Sequence, residues 1–242
     1  MRLRTSIIQN LIGINERIVF YPALKRFYKK LPIEKPLKII DVGSNKGQSI
    51  DFFLSIDPGA KIYGFEPNEK LFRRLKNKYG NYSNIELQNC GLSDKTGKLV
   101  FHENILDETS TFEELNQASG FLKKKAKILG VQTKEIIASS YEVEVVSLTD
   151  FIEKKEIETI DILKIDVEGH EYKVLCGLFA KKDVKRNIRY IQLEHHNDDM
   201  YLNSNAEKIN GLLNQNSFFE IARFKHGFGD FFEIIFENRS KL

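Results

Sequence analysis

Asp41-Val42-Gly43-Ser44-Asn45-Lys46-Gly47 lies between an apolar run, Leu37 to Ile40, and a helical pattern, Gln48 to Ile56. That order is a buried strand, a sharp glycine turn and a helix start. Glycines at 43 and 47 allow a tight bend and let a ligand approach without meeting a Cβ. The N–H groups of the helix N-terminus then face that ligand. Nineteen residues beyond Gly47 a second strand pattern, Lys61 to Phe65, ends in Glu66. A carboxylate at the tip of the second strand is placed to accept hydrogen bonds from a ribose diol. The stretch predicts a nucleoside-containing cofactor held by Asp41, Gly43, Ser44, Asn45, Gly47 and Glu66 at the carboxyl edge of a parallel sheet.

The dinucleotide fingerprint is G-x-G-x-x-G. Here the spacing is G-x-x-x-G, with Asp41 two residues ahead of the first glycine. A carboxylate repels a pyrophosphate but suits the sulfonium and ammonium of S-adenosylmethionine. Two alternatives stay open: Asp41 merely caps the turn, or a similar sheet serves a nicotinamide-dependent oxidoreductase.

Composition bounds the class. The 242 residues suffice for one large α/β domain or two small ones. With 41% hydrophobic and 29% charged residues, the chain reads as a soluble globular protein. A net charge of +3 makes no case for nucleic acid. Cys90 and Cys176 have neither metal nor disulfide spacing and read as buried thiols of a reducing compartment. No apolar run approaches a membrane span, and signal-peptide features are lacking, so the expected location is cytoplasmic.

Residues 1–36 read as a helical extension ahead of a domain at 37–242. Within 1–30, apolar residues such as Leu3, Ile7, Leu11 and Ile18 recur at near-helical spacing among basic ones, against the single acid Glu16. Pro22 is expected to break or kink this helix. The segment suits packing on its own domain, on its twin in a homodimer, or on the inner face of an anionic membrane.

From 37 onward strands (37–42, 61–66, 85–90) alternate with helices (46–56, 69–79), which predicts a parallel sheet with right-handed crossovers. Lys98 to His102 reads as another strand, Tyr141 to Val146 as an edge strand, and Leu148 to Lys155 as a short helix capped by Ser147 or Thr149. Between them lies a polar insert, about 112–140, whose Lys123, Lys124, Lys125, Lys127 and Lys134 form a solvated helix face or a mobile lid over an acidic substrate.

Ile160-Asp161-Ile162-Leu163-Lys164-Ile165-Asp166-Val167-Glu168-Gly169-His170-Glu171 is the second informative stretch. Its apolar part is a central strand, with Asp166 at the carboxyl end beside the glycine loop. Helix 171–180 follows, then a strand from 189 to 193 ending in Glu194-His195-His196 at the same edge. Helix 204–215, with Ser204 as its cap, leads to strands 217–222 and 231–236 around the loop His226-Gly227-Phe228-Gly229. The ending predicts a closing hairpin with one antiparallel strand.

Taken together, Asp-Val-Gly-Ser-Asn-Lys-Gly (41–47), Gly-Phe-Glu-Pro (64–67), Gly-Leu-Ser-Asp (91–94) and Leu-Lys-Ile-Asp-Val-Glu-Gly-His-Glu (163–171) resemble the FkbM family of S-adenosylmethionine-dependent methyltransferases. Thr109-Ser110-Thr111 and Ser147-Leu148-Thr149-Asp150 fall where the family has a small-hydroxyl motif and a leucine-aspartate pair. The resemblance covers roughly 37 to 237. It implies the Rossmann-like, seven-stranded, mostly parallel class I methyltransferase sheet, and it adds Pro67 and Leu92 to the cofactor residues. It also implies O-methylation of a hydroxyl on a sugar, a glycan or a secondary metabolite. Ser44 stands where the family commonly has Ala and could add a hydrogen bond.

Methyl transfer to an alcohol needs approach geometry and a base. His170 is the expected base, surrounded by Asp166, Glu168 and Glu194, with packing of the helix start as its other reading. A divalent cation held by Asp166, Glu194 and His195 is the less favoured chemistry. A non-catalytic partner of the same fold is the remaining alternative.

Overall fold

Adjacent residues of a strand face opposite sides of its sheet, and here both sides are apolar. In β1 (Lys38–Val42) the buried Ile39 and Ile40 belong to two different cores. β2 (Lys61–Phe65) divides likewise between Ile62 and Tyr63, and β7 (Ile160–Ile165) between Ile162 and Leu163. Two-sided burial requires helices on both faces. α1 (Tyr21–Tyr28), α2 (Gln48–Ile56) and α3 (Glu69–Tyr79) cover the Ile39 face. The Ile40 face is covered by α5 (Leu148–Lys154), α6 (Glu171–Phe179) and α7 (Ala206–Gln215).

This computed structural model describes residues 19–105, 109–181, 187–196, 199–202, 206–226 and 231–240. With β3 (Ile85–Gln88), β8 (Ile188–His196), β9 (Phe218–Lys225) and β10 (Phe231–Asn238), the main sheet runs β3-β2-β1-β7-β8-β10-β9. The pairings of β3 through β8 are parallel, and β10 is antiparallel to both its neighbours. This is the doubly wound, seven-stranded sheet with the closing hairpin that the sequence predicts. Strand order reverses between β1 and β7, so the loops after these strands meet at the carboxyl edge, where the Asp166 N–H donates to the Val42 carbonyl at 3.0 Å.

Two strand assignments need correction. The run read as 85–90 breaks after Gln88, and Gly91–Ser93 (β4) joins a second sheet. That sheet has β6 (Ile137–Ser147) in the middle, between β4 and β5 (Gly97–Asn104). The segment at 141–146 is thus central rather than an edge; its alternation reflects one solvated face. Ser147, not Thr149, caps α5, its Oγ accepting from the Asp150 N–H at 3.0 Å.

The insert is a packed unit. Its helix α4 (Gly120–Leu129) starts at Ser119, whose Oγ accepts from the Leu122 N–H, and stops at the left-handed Gly130. Leu122 and Ala126 turn inward onto Leu115, Ile136, Met200 and Tyr201. Lys123, Lys124, Lys127 and Lys134 are exposed, so the lysine cluster is a solvated face.

Pro22 sits in the first turn of α1, directly after the π-helical residues 19 and 20, so the helix changes type at the proline, in keeping with the break expected there. Phe20, Leu24 and Tyr28 are buried against Phe52 and Phe53 of α2, so residues 19–28 pack on their own domain. The remainder of the extension (1–18), Ser204 and Gly227-Phe228-Gly229 lie outside the described residues. Among the described residues, no helix is long and apolar enough to cross a membrane.

Candidate active site

A cavity of about 490 Å³ opens along the carboxyl edge of the main sheet. At the β1–β2 end the backbone shapes it. Gly43, Asn45 and Gly47 have φ values of 84°, 48° and 86°. A Cβ at Gly43 would stand 1.9 Å from the Asp166 carbonyl oxygen, and one at Gly47 would stand 2.5 Å from the Tyr79 hydroxyl. Both glycines therefore admit the protein's own chain, which corrects the expectation that they make room for a ligand. Gly43, Ser44 and Asn45 line the cavity, whereas Gly47 holds the turn from behind.

Asp41 does not face the cavity. It is fully buried under the loop, and its Oδ2 accepts from Ser44 Oγ and Ser49 Oγ, each at 2.7 Å. The capping alternative is the one the structure shows. Burial pushes the Asp41 carboxyl up, against the opposing pull of Lys164 and the two serine hydroxyls. Ser44 supplies the hydrogen bond that its departure from the family pattern suggested.

Glu66 lines the cavity at the tip of β2. Its Oε2 accepts from the Asn45 N–H and its Oε1 from the Asn68 N–H, each at 2.8 Å, which fixes the carboxylate between the two loops. Burial pushes its pKa up to about 7 in spite of these two donors. Each oxygen keeps a second lone pair for a donor in the cavity. Pro67 and Leu92 extend the same wall. Cys90 also lines it, half-buried, with its thiol pushed up to about 11 by burial.

The β7–β8–β10 end is built by side chains. On the α1 face the apolar row Ile39, Ile162 and Tyr190 gives way one pleat later to Asp41, Lys164 and Gln192, neighbours in register across β1, β7 and β8. Beyond these stand Glu194 and Glu233, directly opposite each other on β8 and β10. Lys164 Nζ lies 2.8 Å from Asp166 Oδ2. Burial works against the Lys164 ammonium, but Asp166, Glu233 and Asp41 outweigh it, and its pKa is raised. Burial also pushes the Glu233 carboxyl up, with Lys164 opposing. The Tyr28 hydroxyl of α1 donates to Gln192 Oε1. Phe20, Tyr21 and Leu24 form a wall on this side, and His226 stacks on Phe20 with ring centroids 4.0 Å apart.

Carboxylate oxygens of Asp166, Glu168 and Glu194 all lie within 4.8 Å of one another. Glu168 has a φ of 53°, its carbonyl accepts from Thr111 Oγ1 at 2.6 Å, and its Oε2 accepts from the Tyr201 hydroxyl at 2.8 Å. Thr109, Ser110 and Thr111, the small-hydroxyl motif, line the cavity beside it.

His170 is not in this group. It lies 4% exposed behind the loop, with Nε2 2.9 Å from Ser93 Oγ and Nδ1 2.7 Å from Glu113 Oε1, and its ring packs on Phe112. The expected ring of Asp166, Glu168 and Glu194 around it does not form, because the left-handed Gly169 turns the chain between Glu168 and His170. Alternation along β8 likewise sends His195 to the face opposite Glu194, and Glu168 takes the place expected for His195 in the acidic cluster. Lys164, Gln192, Glu233, His226 and the α1 wall are cavity residues that the sequence analysis did not single out.

Residues 41–228 match the model of the Methyltransferase FkbM domain, and the chain belongs to that methyltransferase family. It is 27% identical over 170 residues to the 2-O-methyltransferase NoeI of Sinorhizobium fredii, covering 70% of this chain and 68% of that protein. It is 28% identical over 174 residues to the 31-O-demethyl-FK506 methyltransferase FkbM of Streptomyces tacrolimicus, covering 66% of each. It is 25% identical over 157 residues to the hexuronic acid methyltransferase AglP of Haloferax volcanii, covering 64% of this chain and 54% of that protein. The chain thus spans about two thirds or less of these relatives' lengths. Family membership sets aside the nicotinamide reading.

Proposed function

We propose that the chain transfers a methyl group from S-adenosylmethionine to a hydroxyl of a saccharide or a related hydroxyl-rich metabolite. The observation that carries this reading is one cavity with two chemically distinct ends: a fixed carboxylate, Glu66, at one and a group of carboxylates, Asp166, Glu168 and Glu194, at the other. The first end fits a nucleoside, since Glu66 is pinned by two backbone amides with lone pairs left for a diol. Carboxylates at the second end accept hydrogen bonds from hydroxyls, which are abundant on a sugar. The name of NoeI, a 2-O-methyltransferase, supports an oxygen acceptor, and that of AglP, a hexuronic acid methyltransferase, supports a saccharide.

S-adenosylmethionine, held at the Glu66 end by Glu66, Ser44 and Asn45, would supply an electrophilic methyl for the acceptor oxygen, its sulfur keeping the electron pair of the broken carbon–sulfur bond. The chain's own task is to orient the acceptor and receive its proton. Glu168 and Glu194 are the groups placed to accept it. Tyr201 holds Glu168, and Lys164 holds Asp166. His170 positions the loop from outside the cavity.

The test is methylation of an oligosaccharide pool with isotopically labelled cofactor, followed by mild alkali. Label that survives alkali is an ether on a hydroxyl and supports the proposal. Label released by alkali is an ester on a carboxyl group and overturns it.

A further inference from the structure

We infer that Asp166, Glu168 and Glu194 form a binding site for a divalent metal ion at the acceptor end of the cavity. The ion's role in methyl transfer rests on the function proposed above; the site itself is argued from the side chains alone.

The three carboxylates come from the end of β7, the loop after it and the end of β8, and each offers an oxygen within 4.8 Å of the others. Such a set suits hard cations of the magnesium and manganese class, which take carboxylates and fill their remaining positions with water or ligand oxygens. Two of the three carry the outer partners that orient metal ligands. Lys164 holds Asp166 Oδ2 at 2.8 Å, and Tyr201, anchored in the insert core, holds Glu168 Oε2 at 2.8 Å.

A separate observation points to a missing cation. Glu233 lines the same cavity directly across the ladder from Glu194, is 4% exposed, and has an Oε2 with no hydrogen-bond partner. A buried carboxylate oxygen left so is costly unless positive charge stands near it. At this end the cavity is lined by the acids Asp166, Glu168, Glu194 and Glu233 and by the basic residues Lys164 and His226. A divalent ion in the cluster closes much of that gap. An acceptor hydroxyl on such an ion loses its proton to a carboxylate or to water more readily than a free alcohol.

Manganese(II) is the probe, titrated into the purified full chain and followed by its electron paramagnetic resonance signal, with S-adenosylhomocysteine binding measured in the same samples. The expected result is one saturable manganese site per chain, displaced by excess magnesium. Glu168→Gln and Glu194→Gln should each lower manganese affinity by about tenfold or more, and Tyr201→Phe by several-fold. Glu69→Gln, on the exposed face of α3, should leave it unchanged. Retained S-adenosylhomocysteine binding shows that a variant is folded, and Tyr201→Phe decides the matter if the glutamine variants are not. S-adenosylhomocysteine binding without saturable manganese binding, or manganese affinity unchanged in the variants, overturns the metal site and leaves methyl transfer standing. Manganese binding without S-adenosylhomocysteine binding supports the site and rejects the cofactor assignment.

Discussion

At the β1–β2 end of the cavity the backbone sets the geometry: a left-handed loop, two glycines pressed against neighbouring atoms, and a carboxylate held by amide N–H groups. At the β7–β8–β10 end, side chains of opposite charge set it, standing where the strands would otherwise continue an apolar row. The first end is sensitive to shape. The second is sensitive to charge balance, because removing one buried charge strands the others.

The sharpest way to break this contrast is Lys164→Met. It should cost about 3–5 kcal/mol in urea unfolding, because Asp166 and Glu233 lose their buried counter-charge. Adding Glu233→Gln to that variant should recover part of the loss. An unfolding midpoint unmoved by Lys164→Met would show that this end does not depend on its charges.

At the other end, Glu66→Ala should weaken S-adenosylhomocysteine binding by about 1–3 kcal/mol in calorimetry. Burial raises the Glu66 carboxyl from an ordinary value of 4.5 to about 7, so folding takes up a proton between these values, and the contribution of Glu66 to stability falls as pH rises through that window. Ribose hydroxyls favour the ionised form, so the ligand should bind more tightly as pH rises through about 7, and Glu66→Gln should flatten the profile. Affinity that falls over this range in the unaltered chain would contradict the assignment.

His170→Ala sits outside both ends. It removes a buried contact to Glu113 and Ser93, and should cost about 1–3 kcal/mol of stability while leaving ligand affinity within about twofold. A large loss of ligand affinity at full stability would return His170 to the cavity chemistry. The smallest effect is expected for Ser44→Ala, which deletes one hydrogen bond to Asp41 and should cost about 0.5–1.5 kcal/mol in thermal or urea unfolding.

The same contrast explains what was legible in the sequence. The loop 41–47 and Glu66 are local signals, since a glycine turn and a strand-end carboxylate announce their positions within a few residues. The sheet was legible because its apolar runs and turns alternate regularly. Strand 85–90 is shorter than expected because its alternation, Ile85 and Leu87, ends at Gln88, and the chain bends at Asn89, whose amide donates to the Glu66 carbonyl. Asp41 was placed on the right strand but given the wrong side of the loop. His170 was placed at the right edge, yet the sequence does not tell which way Gly169 turns it. Lys164 and Gln192 stand two residues before Asp166 and Glu194, and Glu233 lies inside an apolar strand. These period-two polar residues in core strands were a readable signal for one inward face. The docking of Phe20, Tyr21 and Leu24 was not readable, since it depends on a helix meeting distant strands.

Helix α1 precedes the stretch that matches the family, residues 41–228, and is joined to it through residues 29–40. Its residues nevertheless wall the cavity and touch neither Glu66 nor the glycine turn through any hydrogen bond described. One wall of the cavity is thus carried on chain that precedes the family stretch. An exchange of eight residues, Tyr21–Tyr28, with the corresponding helix of a relative should change that wall while S-adenosylhomocysteine affinity stays as it was.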